Sequence, residues 1–520
     1  MGNIFKMQKN PRVPRNTFDL SHDHKFTCDM GQLIPAMLVE TYPGDLWKIT
    51  PKVLSRTLAM ISPIMHLVEI DLHFYKVPIR ILYPAFDDII TADNSGEGVP
   101  GAPQTWFVDD ITAGDLGDYL GLPIDSNDST GAVPIVAYPI AAYARIYDYW
   151  YRDQNLQAEV SEPLVPGYNG WPRTLMLSPP LKRAWQHDYF TSNLPFAQKG
   201  VVVTLPILEG GGAPVTLSST VGQPLIKDTT NLTLEAAAAL GSDGGGAMTN
   251  TNTNNPVVID PNGAWQVELN NIAQDLITVR TAFKVQEFLE LDANAGTRYK
   301  ETVYAHFDVQ TKDGRLMEPE YIGGLKSNLK ISEVLSTAQT INSSDDVVNP
   351  VGEMSGHGIT VTSGRTITTY CREHGYLMCL YSARPKTSYQ QGIHKLWNRE
   401  ERLDYPWPML AHIGEQPVYL KELYTNVSTP EELDEVFGFI PRYSELKFLP
   451  STVSGLFHDD FDYWHFGRKF ASKPSLNSDF IECTPDKRVF AVESEPSLLV
   501  HTIFDISCTR NFPMFSTPKL

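Results

Sequence analysis

The clearest pattern along the chain is runs of bulky apolar residues mixed with period-two alternation, the mark of strands that bury one face or both. His66 to Leu82 (HLVEIDLHFYKVPIRIL) reads as a core strand, and Val201 to Leu205, Thr302 to Val309 (TVYAHFDV), Gly375 to Ser382 (GYLMCLYS) and Leu498 to Ile506 (LLVHTIFDI) read the same way. Long, irregular, aromatic-rich connections separate them, and connections beyond about 15 residues are uncommon in an ordinary sandwich. Two segments switch to helical spacing. Pro139 to Asn155 places Tyr143, Tyr147, Trp150 and Tyr151 on one stripe, with Pro139 suited to a first turn. Such a stripe fits a core-facing helix. Asn271 to Asn294 repeats Ile272, Leu276, Val279 and Phe283, and Gly296 can end it.

Between these helices the pattern fails. Residues 207–264 contain no Phe, Trp or Tyr, where the chain average predicts roughly six. The segment has one basic residue, Lys227, against five acids, and it is filled by Gly210 to Gly212, Gly244 to Gly246 and Thr249 to Asn255 (TNTNTNN). A short helix over about 232–240 is the only regular piece expected. So poor a segment cannot build a large core alone. It reads as an excursion from the main domain, either a disordered loop or an exposed module packing against copies of itself through Val215, Leu217, Leu225, Ile226, Leu232 and Leu234.

Composition narrows the class. Of 520 residues 42% are hydrophobic and 11% aromatic, enough for a large core, and 38 Pro with 36 Gly favour many short strands over a helical protein. The net charge of −19 argues against a chain that coats nucleic acid along its whole length. The first 18 residues break that trend: Lys6, Lys9, Arg12 and Arg15 precede any acid. They read either as a frayed, solvated terminus or as an arm that touches phosphate or an acidic partner. The five cysteines (Cys28, Cys371, Cys379, Cys483, Cys508) are odd in number and lack metal-like spacing, which fits a reducing compartment. With no signal-peptide pattern and no apolar run near the roughly 20 residues of a membrane span, a soluble, unanchored protein is expected.

Motifs for chemistry fall away. Gly96 to Gly101 (GEGVPG) matches the glycine pattern of a dinucleotide turn, but no strand precedes it, and Pro100 and Pro103 block the helix whose N-terminus would hold phosphate. In Gly352 to Gly356 (GEMSG) the serine comes one place too late for a nucleophile elbow. His22-Asp23-His24 and the cluster His458, Asp459, Asp460, Asp462 are candidate metal ligands, since imidazole and carboxylate at short spacing can converge on one ion. The first cluster lacks a third ligand at strand spacing. The second reads more simply as a solvated acidic loop, or as a place where carboxylates face one another across a contact. Neither a cofactor nor a catalytic constellation is expected.

Several blocks in order resemble the major capsid protein of microviruses, specifically the gokushovirus group. They are Phe18–Ile49 (with FDLSHDHK, GQLIP and PGD), Tyr143–Gln157 (YARIYDYWYRDQNLQ), His187–Gly200 (HDYFTSNLPFAQKG), Gly296–Val309 and Arg315–Gly324 (RLMEPEYIGG). Glu373–Trp397, His412–Tyr424, Val436–Gly455, Leu476–Ile481 and Arg488–Val500 complete the series, so the resemblance covers nearly the whole chain. The stretch DANAGTRY, Phe439-Ile440-Pro441 and the tail STPKL depart from the family pattern.

The resemblance implies an all-β fold, an eight-stranded antiparallel jelly-roll barrel of viral capsid type with large loop and helical insertions. It implies a basic arm at 1–18, the barrel at 19–206 and 265–520, and a threefold protrusion with a receptor contact at 207–264. It further implies a structural, non-enzymatic subunit that assembles with itself in the host bacterial cytoplasm into a small icosahedral virion. The expected partners are circular single-stranded DNA, a small basic DNA-condensing peptide and a host-cell receptor, without membrane insertion. Two other readings stay open from the residues alone: a carbohydrate-binding β-sandwich, and a metal-dependent jelly-roll enzyme using His22 and His24.

Overall fold

The computed structural model describes residues 15–91, 101–107, 111–124, 133–200, 318–337 and 354–515, together with the helix Leu276–Ala295 and short pieces between 215 and 352. The chain divides into two compact units, Met1–Ala197 with Ala295–Leu520, and Gln198–Asn294.

The first unit is built on strands β1 (Asn16–Asp19), β2 (His22–Cys28), β3 (Ile34–Thr41), β4 (Leu46–Thr57), β5 (Val68–Pro78), β6 (Glu320–Asn328), β7 (Ile331–Leu335), β8 (Met354–Ser363), β9 (Ile367–Tyr370), β10 (Gly375–Pro385) and β11 (Leu498–Arg510). One sheet runs β1–β11–β4–β8–β7, with β2 also on β11 and β9 also on β4; the other runs β6–β5–β10–β3. All these pairs are antiparallel. Taking β1 with β2, and β7 with β8 and β9, as one strand each, the chain passes from sheet to sheet between successive members from β1 to β5 and again from β6 to β11, the connectivity of a jelly roll.

The sheets hold seven and four strands rather than the eight expected in total, and the splits have local causes. Ser21 donates its backbone N–H to Asp19 Oδ1 (3.0 Å), a turn that separates β1 from β2. Pro51 lies within β4. Its carbonyl accepts from Gly364 N (2.8 Å), so its missing N–H faces the same edge, and there the partner strand breaks into β8 and β9. Strand β7 adds a hairpin to β8.

Burial follows the pleat. In β4, Trp47, Ile49, Val53, Ser55 and Thr57 point inward between exposed or half-buried neighbours, and β11 does the same with Leu498, Val500, Phe504, Ile506 and Cys508. Strand β10 differs, because ten of its eleven residues are buried. Leu377, Cys379, Tyr381 and Ala383 join the core between the sheets; Tyr376, Met378 and Leu380 join a second core on the outer face. Strand β5 divides likewise, with Ile70, Leu72 and Phe74 on one side and Tyr75 and Val77 on the other. Each large apolar side chain so buried stabilises the fold by roughly 1.5–3 kcal/mol.

The outer core is closed by helix α1 (Tyr138–Trp150), which starts one residue earlier and ends five residues earlier than the sequence pattern implies. Tyr143, Tyr147 and Tyr151 of the expected stripe are buried, and the Tyr143 hydroxyl donates to Leu33 O (2.8 Å) while accepting from Leu181 N (3.0 Å). Trp150 leaves the stripe: it is exposed, and its indole N–H donates to Pro319 O (2.9 Å). Of the expected strand at 302–309, Tyr304 to His306 are helical instead. The expected strand at 201–205 lies outside the described residues.

In the second unit, helix α2 (Leu276–Ala295) starts five residues later than expected and leaves Phe283 and Phe288 exposed. Six short strands form nested antiparallel pairs: Val215–Leu217 with Trp265–Val267, Ile226–Asp228 with Val257–Ile259, and Leu240–Ser242 with Met248–Asn250. The expected helix at 232–240 ends on a residue that is strand, Leu240, and the rest of it lies outside the described residues.

A buried ion cluster ties the outer layer to the sheet. Asp71 on β5 accepts from Arg183 Nη1 (2.6 Å) and, more weakly, from Arg384 Nη2 (3.4 Å), and Ser382 completes the contact with Arg183 (2.8 Å). Burial pushes the Asp71 carboxyl up, but the two guanidinium groups outweigh it and hold its pKa below the usual range. His73, hydrogen-bonded through Nδ1 to the Tyr151 hydroxyl (2.8 Å), is pushed down to about 4 by burial and by Arg183.

The sign of the linkage follows. An unfolded histidine takes up its proton near pH 6.5, whereas folded His73 stays neutral to about 4, so stability is full above 6.5 and is lost as pH falls through that window. Burial shifts His66 and His465 the same way. Asp71, whose pKa is lowered, loses its contribution only below the ordinary carboxylate range. Urea unfolding of the purified subunit between pH 6.5 and 4 should therefore lose about 1.4 kcal/mol per pH unit less in His73→Gln than in the native chain. An unchanged slope would remove His73 from the account.

Candidate assembly and nucleic-acid surfaces

The first described residues of the arm meet the barrel beside the residues that follow β11. Lys6, Lys9 and Arg12 lie outside the described residues. Arg15 donates through Nε to Asn511 Oδ1 (2.8 Å), and Asn16 Nδ2 donates to Phe512 O (2.7 Å), extending the β1–β11 register in which Asn16 faces Arg510. Arg510 in turn reaches Asp45 (2.9 Å) and lies over the Trp47 ring at 5.0 Å.

The two candidate metal clusters are engaged in other ways. In β2, His22 and His24 turn Nδ1 to the carbonyls of Leu20 (2.9 Å) and Ala36 (3.0 Å). Asp23 bonds Lys25 and His501, whose hydrogen bonds pull its pKa down to about 2. In the loop around His458, Lys469 lies 3.6 Å from Asp459 and 3.4 Å from Asp462, and Arg488 Nε sits 3.9 Å from Asp462. Arg488 also donates to the carbonyls of Asp462, His465 and Gly467, so one guanidinium fixes the loop's path. Asp460 lies in the same exposed loop. Among the described residues no three His, Cys, Asp or Glu side chains converge as ligands.

Of the apolar positions singled out in the insertion, Val215, Leu217 and Ile226 lie on the short paired strands. Leu225, Leu232 and Leu234 lie outside the described residues.

A further surface was not anticipated. Between Ile393 and Ile413 the chain displays Leu396, Trp397, Leu403, Tyr405 and Met409 to solvent, with Trp397 76% and Met409 88% exposed. The loop is nonetheless pinned in place. Lys395 approaches the buried Glu422 (3.9 Å), which also accepts from the Tyr189 hydroxyl (2.8 Å). Arg399 reaches the buried Glu445 (3.3 Å), which is shared with Gln416 (2.7 Å). The Arg402 guanidinium covers the Trp407 ring at 5.4 Å, and that indole N–H returns to Arg402 O (2.9 Å). The sequence LWNREERLDYPWPML has neither strand nor helix period, and aromatics interleaved with charges were the only available signal. Exposed apolar groups on a fixed scaffold are what a buried contact between molecules requires.

Comparison with known proteins decides the class. The family described as "Capsid protein (F protein)" matches residues 7–520. The chain belongs to that phage capsid family. "Capsid protein VP1" of Bdellovibrio phage phiMH2K is 32% identical, covering 97% of this chain and 95% of its own length. The proteins of the same name from Chlamydia phage 1 and Spiroplasma virus 4 are each 30% identical, covering 100% and 99% of this chain and 98% and 97% of their own. The resemblance to gokushovirus capsid proteins stands, and with it a structural, non-enzymatic role in the virion. The enzyme reading built on His22 and His24 is set aside by that membership. No described helix of this capsid protein is long and apolar enough to cross a membrane.

Proposed function

We propose that this capsid protein assembles with itself into a small icosahedral shell around circular single-stranded DNA, in the cytoplasm of a bacterial host. The observation that carries the reading is the pinned loop at 393–413, whose exposed Trp397, Leu403 and Met409 leave apolar surface that a neighbouring subunit can cover. Contacts of this kind are weak singly and strong in a closed assembly. All five cysteines are free and buried, which agrees with assembly in a reducing compartment. Electron microscopy of the purified protein should show round, uniform particles. Trp397→Asp combined with Met409→Asp should cut their yield at least tenfold and leave the subunit's thermal melting unchanged; undiminished assembly would remove the loop from the contact.

The arm supports the DNA part of this reading. Its four cations precede the first strand, and each can neutralise one phosphate, while a subunit of net charge −19 leaves most of the DNA charge to a small basic peptide. Since Arg15 also holds Asn511, the sharper variant changes only Lys6, Lys9 and Arg12 to Ser. Three lost phosphate contacts should lower the salt dependence of single-strand binding by about 2 in log–log slope. An unchanged slope with normal packaging would leave the arm a solvated terminus.

The insertion at 207–264 is assigned to the threefold protrusion and to host attachment through a surface receptor. Its aromatic-free, Gly- and Thr/Asn-rich composition suits an outer surface that tolerates change. Replacing 218–264 by a short Gly-Ser link keeps the outermost pair, Val215–Leu217 with Trp265–Val267. Such particles should assemble and fail to attach; normal infection would reject the assignment.

A further inference from the structure

The outer core contains an open cavity of about 490 Å³. Its walls are mostly apolar, with Leu38, Ile79, Phe86, Leu122 and Val136 among them, and Glu40, Tyr42 and His374 are polar members of the lining. An occupant that presents apolar side chains fits these walls, as a segment of polypeptide does.

The residues that follow β11, as far as Phe515, run beside this cavity. Arg510, the last residue of β11, donates through Nη2 to Glu40 O (2.9 Å) and lies over the Tyr42 ring at 5.4 Å. The Phe512 ring meets Tyr42 edge-on at 6.3 Å. Beyond it, Met514 and Phe515 are 58% and 78% exposed. The bonds from Arg15 to Asn511 and from Asn16 to Phe512 O fix the start of the tail, so its own subunit holds the two apolar side chains in solvent. Five more residues follow, and Lys519 among them matches the Glu40 carboxylate of the cavity in charge.

We propose that the cavity receives the C-terminal tail of a second copy of this chain, with Met514 and Phe515 as the inserted side chains. Tail and cavity lie on one face, so a twofold axis through that face sets each tail over the other subunit's cavity. The exchange is then reciprocal and closes as a pair. Covering the cavity also buries Phe515, whose exposure in the single subunit has no local compensation. This inference rests on the shell reading and places one of its contacts.

Two cysteines test it, against a background in which every native thiol is buried. Val136→Cys with Phe515→Cys, mildly oxidised in assembled particles, should give a covalent dimer on a non-reducing gel, and neither single variant should. A bridge within one chain, a ladder beyond the dimer, or no bridge would each overturn the proposal. Independently, Met514→Asp with Phe515→Asp should lower particle yield at least tenfold while the subunit melts as before. Full yield from that variant would overturn the exchange alone, whereas absence of particles from the unaltered chain would overturn the shell reading beneath it.

Discussion

Burial of the β6–β5–β10–β3 sheet on both faces is the constraint from which the rest of the capsid protein follows. Strand β10 has no solvent side along Gly375–Pro385, so one face needs the opposite sheet and the other needs a layer of its own. Helix α1 and the segments around it supply that layer. A barrel alone would leave Tyr75, Val77, Tyr376, Met378 and Leu380 in water, at a cost of roughly 1.5–3 kcal/mol for each large side chain. The insertions of this fold are therefore structural in the strict sense: the barrel is incomplete without them.

The same constraint explains where charge is buried. Once the outer face of the sheet is covered, Asp71 on β5 and Arg384 on β10 are largely withdrawn from solvent and pair with each other at 3.4 Å, and the Asp71 carboxylate takes a second, closer cation from the covering layer. Arg183 supplies it, while its own backbone bonds Gly31 and Cys483. Removing one member of such a cluster leaves an uncompensated charge, which is why buried pairs are costly to break even where they add little net stability. The cluster thus fixes the placement of the covering layer more than it strengthens the fold.

Legibility in the sequence tracks this layering. Strands β5, β10 and β11 were plain because two-sided burial, or long alternation of bulky residues, leaves few polar positions to obscure the period. Strand β4 alternates as cleanly as any but carries Pro51, which marks a run as edge or non-strand; here the missing donor falls on the one interval where the neighbouring strand is broken. Strand β8 (MSGHGITVTS) lacks bulk, and TVYAHFDV is too short to separate a strand from a helix by period, as the helical Tyr304 to His306 show. The pinned apolar loop was invisible for a different reason. Its order comes from Glu422 and Glu445, which are distant in sequence and become its partners only in the folded chain.

That loop and the barrel obey opposite rules, and the contrast bears on how an acidic subunit can join others. Inside the barrel, apolar groups are hidden and charges are at the surface. In the loop, the charges of Lys395 and Arg399 turn inward onto buried carboxylates and the apolar groups face out. An outward array of carboxylates would repel a like-charged neighbour, and the repulsion would grow with each added copy. Pairing Lys395 and Arg399 internally takes those two cations off the surface, while Glu400, Glu401, Arg402 and Asp404 stay exposed beside the apolar groups, so association through this loop draws on desolvating its apolar area. A net charge of −19 per subunit is then compatible with close packing where the apolar side chains of this loop are what meets the neighbour.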